Sequence, residues 1–373
     1  MFIKCYYSPT MKKVLMIFTL FFLCLAGVKA QVFNSGTAWL DTNGQPINAH
    51  GGGILYQKGT YYWYGEFKGS GKDGNKAKHG VSCYSSKDLK NWKNEGLVLK
   101  VVNDTSSKLQ IGCVIERPKV IYNHSTRKYA MWFHHELKDQ AYKAALTGLA
   151  IADKPTGPFT YVKSLRPNNN YWPVNYPDSL KKPLANLDTP GESYKYRKSN
   201  GDLVRRDFEG GQMARDMTLY VDDDRTAYHI AASEENGTLH ISKLSPDYQS
   251  FTGEYYRVRP GESNEAPAIV KHQNKYYLIT SGTTGWDPNP ARAFVADKIT
   301  GPYKSLGNPA VGTNEEKATT FQAQGTYILP VQGKRETYVF MADRWKPKNP
   351  IDGTYVWLPL TFENSKPVIK MFE

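Results

Sequence analysis

Cysteine is scarce in this chain, with four residues in 373, and two of them, Cys5 and Cys24, fall in a leader-like N-terminal stretch. Without that stretch, Cys83 and Cys113 allow at most one disulfide, which excludes a scaffold built on disulfides. Buried free thiols and a bridge are equally compatible with their strand-like surroundings. Neither their spacing nor their neighbours suggests a metal site, and no metal or cofactor is expected. Long apolar runs are lacking too. Lys12 and Lys13 precede the run from Val14 to Val28, and Val28-Lys29-Ala30 supplies small residues before a cut ahead of Gln31, the pattern of an export signal. A lipoprotein signal centred on Cys24 is disfavoured by bulky Phe22 and Leu23. No other stretch approaches the ~20 apolar residues that span a bilayer. A leader over 1–30 and one secreted or periplasmic domain over 31–373, monomeric and soluble, are therefore expected. Acidic side chains are outnumbered, 35 against 48 Lys and Arg, for a net charge of +13, about +9 once Lys4, Lys12, Lys13 and Lys29 are removed. The remaining basic residues are scattered rather than gathered on one face, which argues against a nucleic-acid partner and for an ordinary solvated surface.

Aromatic residues are plentiful, and they repeat. Five times a short apolar strand, a polar turn and a strand rich in Tyr, Trp or Phe follow one another. The copies are Gly53 to Tyr64, Pro118 to Phe133, Met217 to Ile230, Pro267 to Ile279 and Gly325 to Met341. A hairpin recurring at wide spacing, with further strand-like segments between copies, predicts an all-β fold of radially repeated four-stranded blades: a five-bladed β-propeller.

In a propeller the innermost strand of each blade runs along the central axis, so the residues just before it converge at one mouth of the channel. Here those residues are His50, Glu116, Asp216, Glu265 and Gln324. Taken singly, a charged residue at a strand edge is a solvated one; taken together, three carboxylates, a histidine and an amide at equivalent positions mark a candidate site. The register places Glu116 and Glu265 at one level, and Asp216 and Gln324 one residue later.

These phrases resemble glycoside hydrolase family 43 over nearly the whole chain beyond residue 30. Ser85 to Trp92 looks like a strand-to-strand phrase of that family, and Ala152 to Phe159 is echoed by Ala296 to Tyr303. The resemblance implies that Glu265, in Asn264-Glu265-Ala266-Pro267, is the general acid. It also implies that Asp216, in Ala214-Arg215-Asp216-Met217 with Asp223, tunes that acid. The aspartate that usually serves as base before the first blade's inner strand is replaced by Gly51, within Asn48-Ala49-His50-Gly51-Gly52-Gly53. The exo-β-1,3-galactanase group of the family is similar in lacking that aspartate, and implies Gln324 beside the attacking water, with Gln322 as the alternative. The same group implies Glu66, Glu116, Thr283, Gly285 and, by approximate position, Tyr142 as sugar contacts, while Trp286 offers a stacking platform and His50 joins them at the mouth.

Inverting hydrolysis needs an acid at the leaving oxygen and, across the ring, a group that orients or deprotonates water, roughly 6.5–9.5 Å away. Glu265 must then be protonated at working pH, and repulsion from Asp216 can hold its proton on. Gln324 has an amide oxygen that can accept from water, or it could work as an imidic-acid tautomer held by Glu116. The expected substrate is β-1,3-galactan, cut from its non-reducing end to galactose. Alternatives are an arabinan- or xylan-side-chain hydrolase on the same fold, and a non-catalytic glycan-binding propeller. The stretch from about Lys163 to Gln212, rich in Pro, Asn and charge, is either a loop closing one side of the cleft or a surface excursion.

Overall fold

The computed structural model describes residue 33 and residues 35–184 and 202–371; the leader-like stretch and Phe372 lie outside them. Each of the five aromatic hairpins is a pair of neighbouring antiparallel strands at the inner edge of its own sheet. Sheet one contains β1 (His50–Gln57), β2 (Thr60–Glu66), β3 (Gly80–Ser86) and β4 (Lys93–Lys100) in sequence order. Sheet two contains β5 (Val114–Asn123), β6 (Lys128–Glu136), β7 (Leu146–Ala152) and β8 (Thr160–Leu165). The third is β9 (Met217–Val221), β10 (Ala227–Ser233), β11 (Thr238–Leu244) and β12 (Phe251–Val258), and the fourth β13 (Glu265–His272), β14 (Lys275–Ser281), β15 (Arg292–Ala296) and β16 (Lys304–Gly307). The last sheet has five strands: β17 (Ala310–Val311), β18 (Gln324–Pro330), β19 (Tyr338–Arg344), β20 (Thr354–Glu363) and β21 (Lys366–Lys370), with β17 added parallel to β21. These are the five blades of the expected propeller.

Local chemistry explains the hairpins. The β1–β2 turn is Lys58-Gly59 with φ of 49° and 80°, and the β13–β14 turn is Gln273-Asn274 with φ of 47° and 61°. Two consecutive left-handed residues give the turn whose twist matches paired strands. β-branched and aromatic residues then fill the pleated faces. Five buried clusters, one at each junction between adjacent blades, hold the ring together. Cys83 and Cys113, both free thiols, sit in the cluster between blades one and two. The junction of blades five and one packs Trp63, Trp92, Tyr355 and Trp357. There the ring closes by side-chain packing, backed by the N-terminal segment: Ser35 Oγ donates to Trp357 O at 2.8 Å and accepts from Trp357 N at 3.0 Å.

After β8, the described part of the long segment packs on blade three rather than over the channel mouth. Asn168 Nδ2 donates to Ser242 Oγ, and the helix α1 (Asp202–Arg206) presents Arg206 to Asp207 and Glu235. None of its described residues lines the pocket described below; those residues buttress blade three.

Candidate active site

Four inner strands carry a one-residue bulge at the same point, between His50 and Gly53, Glu116 and Lys119, Glu265 and Ala268, and Gly325 and Tyr327. A bulge bends the strand and re-aims the side chains beside it. In three of the blades a residue at the bulge is left-handed: Gly51, Arg117 and Ala266, at φ of 59°, 55° and 50°. Just before the bulges, Glu116 pairs with His134, Glu265 with Ser281 and Gln324 with Asp343. Gln324 therefore shares the level of Glu116 and Glu265, not that of Asp216. The expected offset came from setting β18 one residue out of register: Tyr327, not Thr326, stands level with Lys119 and Ala268.

These residues meet in a pocket of about 220 Å³ lined by Glu66, Glu116, Tyr142, Asp216, Glu265, Gly285, Trp286 and Gln324 together with Lys68, Arg117, Arg215, Asn236 and Trp345. Arg117 is its keystone. The guanidinium Nη2 donates to Asp216 Oδ2 at 2.9 Å and to Gln324 Oε1, Nη1 donates to Gly325 O at 2.9 Å, and the backbone amide donates to Glu66 Oε1 at 2.9 Å.

Glu265 has its Oε1 bonded by Asn236 Nδ2, and burial followed by repulsion from Asp216 pushes its pKa up to about 8, against the pull of Arg117 and Arg215. Asp216 Oδ2 also accepts from the amide of Ala266, the residue after Glu265, at 3.2 Å, which ties the two carboxylates' backbones together. On the far wall, Glu116 Oε1 accepts from Tyr142 at 2.7 Å and Asn75 at 2.9 Å, and its Oε2 meets His134 at 2.9 Å. The second nitrogen of His134 meets Glu136 at 2.8 Å. Burial alone would lower the pKa of His134, but hydrogen bonds to the two carboxylates push it up to about 9, so the ring is an imidazolium donating to both. Burial also favours a neutral Glu116, yet His134 outweighs it and holds that carboxyl well below the usual range. Glu66 is raised by burial despite its ion pair with Lys68.

The glycine in place of the usual aspartate has a physical cause. A Cβ on Gly51 would lie 1.9 Å from Glu66 Oε1, and the backbone is left-handed there. The Glu66 carboxylate occupies the space that a side chain at position 51 would need.

Gln324 is fixed in one orientation. Its Oε1 accepts from Arg117 and, at 2.9 Å, from Trp345 Nε1, while its Nε2 donates to Ser281 Oγ at 2.9 Å. Flipping the amide would set donors against donors. Two expectations change as a result. Glu116 does not hold Gln324, whose partners are Arg117, Trp345 and Ser281. The amide oxygen faces Arg117 and Trp345, which can only donate, so an imidic-acid hydroxyl at that atom has no acceptor.

Other expected residues lie elsewhere. His50 is 1% exposed, stacked on Tyr355 with its ring 3.4 Å from Asp343, one layer behind the wall. Thr283 is exposed and does not line the pocket. Gln322 points outward to Glu315, and Asp223 pairs with Lys271 at the far end of β9. Arg117, Lys68, Asn75, His134, Asn236 and Trp345 were not foreseen. Of these only Arg117 carried a sequence signal, its place directly after Glu116 at a blade register. Glu116, His134 and Asp216 bring potential metal-ligand atoms within 4.8 Å of one another. As they stand, His134 is held between two carboxylates and Asp216 is held by Arg117, and a metal-binding histidine would have to give up its proton.

A propeller whose polar, tryptophan-edged pocket sets a glutamate with a raised pKa beside an aspartate has the makings of a glycoside hydrolase. Residues 198–359 match the model of glycosyl hydrolases family 43. A family-43 β-1,3-galactosidase solved with galactodeoxynojirimycin is 46% identical, the match covering 91% of this chain and 98% of that one with a TM-score of 0.85. The exo-β-1,3-galactanase 1,3Gal43A of Clostridium thermocellum is 35% identical over 90% of this chain and 64% of its own, with a TM-score of 0.73. That of Phanerochaete chrysosporium, in a variant bound to β-1,3-galactotriose, is 33% identical over 90% and 66%, with a TM-score of 0.72. The chain thus spans a little under two thirds of the length of these two galactanases. No curated protein gave a significant match. The chain belongs to glycoside hydrolase family 43. Among its described residues no helix is long and apolar enough to cross a membrane.

Proposed function

We propose that this enzyme releases galactose from the non-reducing end of β-1,3-galactan, inverting the anomeric centre. The observation that carries the chemistry is Glu265: a carboxyl with a pKa near 8 stays protonated at neutral pH, as a general acid must. With Oε1 engaged by Asn236, Oε2 is left to deliver the proton to the glycosidic oxygen. Asp216 keeps that proton on Glu265 by repulsion and is itself oriented by Arg117 and the Ala266 amide. Gln324 positions the attacking water: its oxygen is spent on Arg117 and Trp345, and its nitrogen has a second hydrogen to offer beyond the one given to Ser281. Glu66, Glu116 and Tyr142 supply acceptors and a hydroxyl for the sugar, and Trp286 and Trp345, edge to face at 5.6 Å, supply apolar surface.

Galactan is favoured over arabinan or xylan by the names of the similar enzymes and by the Gly51–Gln324 combination. The small pocket suits a terminal sugar and so exo action. Secretion is supported by the leader-like stretch before Gln31. Product chromatography of the chain from Gln31 with linear β-1,3-galactan, arabinan and xylan tests this reading. Galactose alone from galactan is expected, lost in Glu265→Gln and reduced in Gln324→Ala; release from arabinan or xylan instead would reassign the substrate.

A further inference from the structure

Beneath the pocket, where β1, β5 and β18 meet, lies a buried amine that the chemistry above leaves unused. Lys119 is 2% exposed, and its Nζ donates to the carbonyl oxygens of Gly51 at 2.8 Å and Arg117 at 3.3 Å. Burial, then the charge of Arg117, pushes its pKa down to about 7, against the pull of Glu66, Asp216 and Asp343. Its stem runs against Gly53, where a Cβ would come within 2.5 Å of Lys119 Cδ and 3.3 Å of Tyr327 Cδ2.

A buried amine whose acceptors among the described residues are backbone carbonyls costs stability, because it has left water without a carboxylate to pair with. Its two acceptors explain why it is there. Gly51 and Arg117 are the left-handed bulge residues of blades one and two; glycine adopts that conformation freely, whereas Arg117, with its side chain, holds it only under constraint. Arg117 is also the residue whose amide holds Glu66 and whose guanidinium holds Asp216 and Gln324. The Arg117 carbonyl is thus anchored from below while its amide and side chain reach into the pocket.

We propose that Lys119 is a positioning residue for hydrolysis: its amino group pins the bulges at Gly51 and Arg117, and through Arg117 sets Asp216 and Gln324 for the reaction. This rests on reading the pocket as the hydrolytic centre. A side chain kept for folding should lower the melting temperature when removed; one kept for positioning should lower turnover without doing so.

The test is Lys119→Met, which keeps the stem and removes the amine, assayed on β-1,3-galactobiose in wild-type and Gln324→Ala backgrounds. Expected are an unchanged or raised Tm, a kcat about tenfold or more below wild type with KM changed less than about threefold, and a smaller loss when Gln324 is already absent, the part that remains being transmitted through Asp216. Turnover like wild type, a kcat loss that comes with a lower Tm, or equal losses in both backgrounds would each overturn the proposal. If Lys119→Met does not fold, Gly53→Ala, which displaces the lysine stem, decides: reduced kcat in the folded variant supports the proposal and unchanged kcat overturns it. An inactive wild type would overturn the hydrolytic reading, and this proposal with it; an active wild type with an unimpaired Lys119→Met overturns this proposal alone.

Discussion

Two residues with displaced pKa values set the pH behaviour of the site, and they act in different ways. As the proposed general acid, Glu265 acts while protonated, so activity should hold below its pKa and fall as pH rises through about 8. A kcat/KM profile measures this directly, and Glu265→Gln should cost on the order of 10²- to 10⁴-fold in kcat. His134 acts on stability. Its folded pKa of about 9 lies above the ordinary 6.5, so its contribution is present in full below about 6.5 and is lost as pH rises through about 9. Replacing it strands Glu116 and Glu136 in the interior, and His134→Ala should lower unfolding free energy by about 3–5 kcal/mol in urea titrations. Glu265 and Asp216 were legible in the sequence because they sit in motifs at blade registers. His134 was not: a histidine inside an aromatic strand looks like packing until the strand is paired with Glu116.

At the level of the element, the bulges decide what the site can contain. They leave no mark in a pattern of apolar and polar residues, so β18 can be set one residue out of register while Gln324 is still expected as a site residue. They also explain why the position of the family's usual base cannot simply be refilled. Gly51→Asp would introduce a Cβ into the Glu66 carboxylate at a left-handed backbone position. The left-handed conformation alone costs roughly 1–2 kcal/mol for a residue with a side chain, and displacing Glu66 disturbs Arg117 as well. Lower stability and lower kcat are expected together in this variant; a gain in activity would show that the space is free. The hairpins were the most legible elements, since Lys58-Gly59 and Gln273-Asn274 announce their turns. Residues supplied by connecting segments, Asn75, Asn236 and Trp345 among them, follow no strand period and became visible only in space.

Across the whole molecule, the ring must be closed for opposite blades to face one pocket, because Glu116 and Glu265 come from blades two and four and Gln324 from blade five. Closure depends on the aromatic junction of blades five and one. Trp357, 1% exposed and bonded to Ser35, is central to it, and Trp357→Ala should cost about 3–5 kcal/mol. Calorimetry should show the loss as a lower Tm for one transition of the entire propeller; a separate early transition would mean that the blades unfold independently. The repeated aromatic hairpins made this architecture readable, whereas the N-terminal strap from Ser35 to Trp39 gave no periodic signal.

The most direct test of the proposed reaction is time-resolved proton NMR of β-1,3-galactan digested by the chain from Gln31. Inverting exo-hydrolysis predicts α-galactose as the first product, appearing before mutarotation and without intermediate oligosaccharides. Initial β-galactose, oligosaccharides from internal cuts, or no galactose at all would contradict it.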